Sequence, residues 1–249
     1  GEEAPLWPEY SSSTNVRQDM SCLTGRSRRR YHEAVQRLRL RFSRGEELKY
    51  ISHLDLMRLW ERVLRRAGIP VAYSEGFSPH PRISLAAPLP IGVTSEADLM
   101  DVVVKKTVSP IFIMQNTKSQ LPKGMEVLEI VQVPLTAPSL QSQAQFIDYR
   151  VSDRSEKTAD EIREAIAATL RAGTLPWHHM RDTGPRHYDL RPLIKDLWLE
   201  SWQDYIFILG MRLRCDARGT GRPEQVTAAL GLTDHPSLVH RTKIVLAEG

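Results

Sequence analysis

Cysteine is scarce. Only Cys22 and Cys215 occur in 249 residues, far apart and without metal or redox spacing. That excludes a disulfide framework and a thiolate zinc site. A reduced, cytoplasmic setting is the expectation. No apolar run approaches the roughly 20 residues a bilayer-crossing helix needs, and no leader pattern opens the chain, so no membrane role is expected. No trio of metal ligands has the usual spacing. His178 and His179 are adjacent, so a strand would point them to opposite faces. A phosphate-cradling loop is missing too, because Gly219-Thr220-Gly221-Arg222 lacks the Lys-Ser/Thr ending. No cofactor is expected. Nor is there a large charge of one sign: 34 Lys and Arg against 30 Asp and Glu leave +4, which weakly favours an acidic partner such as RNA.

What is present is enough apolar residue, 41%, to bury one large or two small cores. The chain begins with Gly rather than Met, which reads as a trimmed fragment. Residues 1–34 show no apolar period. Ser11-Ser12-Ser13 and Arg26-Ser27-Arg28-Arg29-Arg30 read as a disordered basic segment or linker.

The chain is organised around Lys49 to Gly92. Ser52 with Asp55 three residues on has the form of a helix cap. Leu56, Leu59 or Trp60, Val63 and Ala67 recur at helical spacing, and Gly68 and Pro70 mark the stop. Arg58, Arg62, Arg65 and Arg66 lie off that stripe with only Glu61 among them. Such a stripe is either a solvated face or the footprint of phosphate binding. A short strand, Val71–Tyr73, leads to Ser74-Glu75-Gly76-Phe77-Ser78-Pro79-His80-Pro81-Arg82. Prolines on both sides of His80 restrict the backbone. Phe77 either plugs a core or offers a stacking face; with His80 and Arg82 it matches the way single strands are held.

In order, Arg37–Arg44 alternates Arg with Leu and Phe and reads as a half-buried strand with a basic outer face. After the helix and loop come extended Ile83–Leu89, a strand at Asp98–Lys105, a helix over Ser109–Leu121 and a strand at Met125–Val133. Pro134–Ser142 reads as a low-charge linker. The order then repeats. Phe146–Val151 is a strand and Thr158 with Glu161 caps a helix. His187–Leu199 is partly extended, Tyr205–Arg214 is a strand, Pro223–Leu230 a helix and Val239–Ala247 a strand. Two β-α-β-β-α-β runs predict an α+β fold of two tandem ferredoxin-like domains, helices on one face of antiparallel sheets. The boundaries are a first domain over 35–134, a linker over 135–145 and a second domain over 146–249.

Tyr50-Ile51-Ser52-His53-Leu54-Asp55-Leu56-Met57-Arg58, Arg65-Arg66-Ala67, Gly76 through Arg82 and Pro88-Leu89-Pro90-Ile91-Gly92-Val93 with Ser95 resemble the radical-SAM-linked protein family. Leu121-Pro122-Lys123-Gly124, Asp189-Leu190-Arg191, Arg222-Pro223-Glu224 and Arg241-Thr242 extend the resemblance over about residues 37 to 247. It implies a bacterial domain found fused to or beside radical SAM proteins, with a radical SAM enzyme as partner.

The resulting expectation is a non-catalytic RNA-binding or substrate-presenting module. Its binding set is Ser52, His53, Arg58, Arg62, Arg65, Tyr73, Phe77, His80 and Arg82, facing Asp189, Arg191, Arg222 and Arg241 across a cleft. Two alternatives stay open. One is a metal-independent ribonuclease using His53 or His80 as acid or base; the other is a structural protein–protein adaptor.

Overall fold

The protein is described from a computed structural model covering residues 35–181 and 184–247, and the basic segment expected over 1–34 lies outside the described residues. β1 (Gln36–Arg44) takes its form from strict alternation: Leu38, Leu40 and Phe42 are fully buried against one face of the sheet. On that face lies α1 (His53–Arg66), whose Leu56, Trp60, Val63 and Leu64 are buried; the Trp60 ring meets Phe42 edge to face, centroids 4.9 Å apart. Ser52 caps α1 by accepting the Asp55 N–H at 3.1 Å. Gly68, at φ +69°, closes the helix with Gly68 N–H on the Arg65 carbonyl and Ile69 N–H on that of Leu64.

The chain continues through β2 (Ile83–Leu85), β3 (Thr94–Val104), α2 (Pro110–Lys118) and β4 (Met125–Val133), then α3 (Leu140–Gln143), β5 (Ala144–Arg154) and α4 (Ala159–Arg171). β6 (Pro176–Arg181) and β7 (Gly184–Asp189) pair only with each other. β8 (Ile194–Gln203), β9 (Ile206–Asp216), β10 (Gly219–Thr220), α5 (Pro223–Ala229) and β11 (Leu238–Leu246) complete it.

The main sheet runs β10-β9-β5-β11-β3-β1-β4, with β2 also on β3 and β8 also on β9. Within the first half the pairing is β4-β1-β3-β2; within the second it is β11-β5-β9-β8. All these pairs are antiparallel, so the repeat in element order is matched by a repeat in pairing. The two halves expected as tandem domains are joined edge to edge. β11 lies parallel to β3, His240 beside Thr94 and Arg241 beside Ser95, so the halves share one mixed sheet in an α+β fold.

Three local readings also change. Val71 and Tyr73 form isolated bridges, to Val104 and Pro81, rather than a strand. The expected linker after Pro134 is a strap crossing the sheet face opposite α1, where Arg37 donates to the Ala137 and Pro138 carbonyls at 2.7 and 2.9 Å. The basic outer face expected on β1 is buried. Arg37 and Arg39 both clasp Asp101, with Arg39 Nε at 2.8 Å, while Arg41 keeps Glu129 at 3.3 Å in half-exposed surroundings. Alternation located these arginines on the outer face, but only the fold covers that face.

Candidate nucleic-acid interface

α1 supplies the cationic part. Its apolar stripe is consumed by the sheet, so the rest of the surface is open, and Arg58, Arg62, Arg65 and Arg66 are all exposed. Arg58 pairs with Asp55 at 3.2 Å; the other three have no ion pair or side-chain hydrogen bond among the described residues. The Asp55 carboxyl, held by the Ser52 hydroxyl and then by Arg58, lies below the usual carboxylate range. It stays an anion at the helix N-terminus, where the dipole favours one.

The loop after α1 is braced at its base. Ser74 N–H donates to the His80 carbonyl at 2.8 Å, His80 N–H to the Ser74 hydroxyl at 3.0 Å, and Arg82 N–H to the Ala72 carbonyl at 2.8 Å. Residues Tyr73 through His80 are exposed above those ties, with Gly76 at φ +120° turning the tip. Phe77 is fully exposed at 111%. Of the two roles its sequence context left open, a plug for the core and an open ring face, the second holds. Tyr73, 40% exposed, lies under the Lys105 ammonium, 5.5 Å from the ring centroid. Lys105 N–H in turn holds the Pro70 carbonyl at 2.8 Å, so Lys105 sits at the loop's root.

These residues do not all converge. His53 opens α1, whereas the loop follows its far end. A 14-residue helix spans roughly 20 Å, so His53 and the root of the loop lie at its two ends. Ser52, His53 and Arg58 therefore form one end of the surface. Arg65, Tyr73, Phe77 and His80 cluster toward the other. Arg82 goes elsewhere: Ser84 pairs with Asp101, and alternation carries Arg82 to the same face, away from α1.

Asp189, Arg191 and Arg241, among the second-half candidates, are tied into the fold. Arg241 on β11 is enclosed on all sides. Its Nη1 reaches Asp98 at 3.0 Å and the Ala87 carbonyl at 3.1 Å, and its Nη2 the Pro88 carbonyl at 2.8 Å. Arg191 donates to the Ile194 and Leu170 carbonyls, and Asp189 accepts the Leu175 and Arg191 backbone N–H groups. Neither pairs with Arg222 or Arg241. Arg222 is half exposed at the start of α5, 3.9 Å from Glu224. Where the halves meet, β11 pairs with β3, and Arg241 is enclosed there instead of facing a cleft. In the second half, Arg150, Arg212 and Arg214 are tied to Glu200, Asp148 and Asp216 at 2.6, 2.7 and 2.6 Å.

Sequence reasoning missed two features. Arg44 and Arg241 share Asp98 in the buried junction between halves, with Arg44 Nε at 2.7 Å. Burial holds the Arg44 pKa below its ordinary value, more than Asp98 restores. His178 and His187 face each other across the β6–β7 hairpin, Nδ1 atoms 2.5 Å apart. Hairpin register would have found the second; no spacing rule would have found the first. Among the described residues no group of three His, Cys, Asp or Glu could hold a metal, and no helix is long and apolar enough to cross a membrane.

The family model described as an uncharacterized protein conserved in bacteria, DUF2344, matches residues 37–223. No curated protein matches the chain. Among solved structures, a chain of the archaeal box H/ACA sRNP Nop10-Cbf5 complex is similar at TM-score 0.44 and 10% identity, over 86% of this chain and 49% of that one. A chain of a Cbf5-Nop10-Gar1 complex is similar at 0.46 and 9%, over 84% and 48%. This chain thus spans about half the length of those it matches, and a likeness at these scores carries no functional argument.

Proposed function

The chain belongs to that bacterial family, and from this premise we propose that it is a non-catalytic RNA-binding module gripping single-stranded RNA with α1 and the Phe77 loop. One observation carries the reading: an aromatic ring fully exposed on a braced loop, next in the chain to a helix with three guanidinium groups that are unpaired among the described residues. An open aromatic face is one on which a base can stack while arginines neutralise the phosphates. Ser52, His53 and Arg58 would meet the strand at one end of α1, and Arg65, Tyr73, Phe77 and His80 at the other. A radical SAM enzyme as the partner rests on the sequence resemblance alone. A metal-independent ribonuclease would use His53 or His80 singly, each with neighbouring groups, because α1 stands between them in the chain. A protein adaptor using the same surface remains the competing class, and salt separates the two.

The test is binding of single-stranded RNA across a salt series. Each phosphate neutralised contributes about 0.7 to the slope of log affinity against log salt. Arg62→Gln with Arg65→Gln is expected to weaken binding and lower that slope by roughly 1.4. RNA binding that ignores both arginines, or none at low salt, overturns the proposal.

A further inference from the structure

A cavity of about 420 Å³ opens on the sheet face opposite α1, between the end of the Phe77 loop and the strap that follows β4. The strap wall is expensive to build. Arg37 and Arg39 are buried on one carboxylate, Asp101, and Arg37 spends its remaining donors on the Ala137 and Pro138 carbonyls. Two buried cations on one buried anion stabilise little by themselves; what they secure is a proline-containing segment held off the strands with a hollow beneath it.

The lining has two parts. Val103 and Leu135 provide apolar wall, and Leu135 remains 46% exposed, a large apolar side chain at the rim with nothing over it. Arg82 and Ser84 provide the uncommitted polar groups: neither side chain has a partner among the described residues, whereas Arg37 and Asp101 satisfy each other. An apolar slot with one free guanidinium and one hydroxyl fits a flat apolar body bearing an anion.

We propose that this cavity binds a single nucleotide, its base against Val103 and Leu135 and its phosphate on Arg82 and Ser84. The volume lies within the roughly 300–1,000 Å³ of small-ligand sites. Only the choice between free nucleotide and a nucleotide within RNA rests on the function proposed above.

The experiment titrates the full chain with nucleoside 5′-monophosphates, the matching nucleosides and inorganic phosphate, by calorimetry. Monophosphates are expected to bind saturably and nucleosides about tenfold or more weaker, since a charge-assisted hydrogen bond is lost. Arg82→Gln should weaken the monophosphate by a similar factor, and Leu135→Ala should weaken nucleoside and monophosphate together. Arg62→Gln with Arg65→Gln should leave both unchanged. Displacement of a bound monophosphate by a short single-stranded RNA, lost in Arg82→Gln, identifies RNA as the source; absence of displacement assigns the site to free nucleotide. If no monophosphate binds while RNA still binds through Arg62 and Arg65, the cavity proposal is overturned and the RNA reading stands. If monophosphate binds and RNA does not, the reverse holds. Binding unchanged in Arg82→Gln overturns the proposed phosphate contact and with it the site.

Discussion

Asp98 on β3 and Arg241 on β11 meet at 3.0 Å, directly beside the parallel pairing of these two strands. The pair is buried, and Arg44 reaches the same carboxylate from β1. Three strands from both halves of the chain are thereby tied to one anion. Burial opposes the Arg241 charge, but Tyr149 and Asp98 hold its pKa above the ordinary value. Removing the shared carboxylate is therefore a different act from removing one of its two cations.

Asp98→Ala leaves two buried guanidinium groups uncompensated and should destabilise the chain by about 3–5 kcal/mol. Arg241→Met leaves Asp98 still paired with Arg44 and should cost less. Urea unfolding of both variants checks the order; equal losses would show that Arg44 does not compensate.

Gly210 faces Trp198 across the β8–β9 pair, and a Cβ there would come within 1.9 Å of the indole. Gly210→Ala must push Trp198 off the strand, at a cost of about 1–3 kcal/mol for overpacking. A red-shifted tryptophan emission with lowered stability is the expected signature. An unchanged spectrum and midpoint would mean that the indole does not lie over this glycine.

Burial raises the Cys215 thiol to a pKa of about 11. In a Cys22→Ser variant, labelling by a thiolate-directed reagent at pH 8 should be slow in the native state and fast in urea. The folded thiol holds its proton more tightly than the unfolded one. Its contribution to stability is thus complete below about pH 8.5 and is lost as pH rises through about 11. Full-rate native labelling at pH 8 would contradict this.

Phe77→Ala removes a side chain that touches no core, so thermal stability should not change. RNA affinity should fall by about 1–3 kcal/mol, the value of one stacked base, with the salt slope unaltered. A drop in slope instead would place Phe77 among the groups that order the phosphate contacts. A loss of melting temperature would make it structural.

Much of this was legible beforehand where the signal is local. The Ser52 cap, the Gly68 stop, the Thr158–Glu161 capping box and the span of β4 follow from residues within a turn or a pleat of one another. The exposed stripe on α1 follows as well, because helical spacing alone separates Arg62 and Arg65 from Leu56 and Val63. The Phe77 loop was recognisable by its composition, though not the exposure of its ring.

What an amino-acid order determines by itself is periodicity, and periodicity assigns a residue to a face without saying what covers that face. Arg37 and Arg39 have the spacing of a solvated strand, yet a strap about a hundred residues downstream buries them. Arg241 reads as a free cation until β11 takes its place against β3. Arg82 reads as part of the α1 surface until strand register carries it to the other side. Each depends on contacts between residues remote in sequence, whose free energy exists only once the strands have paired, so tertiary structure alone could decide them.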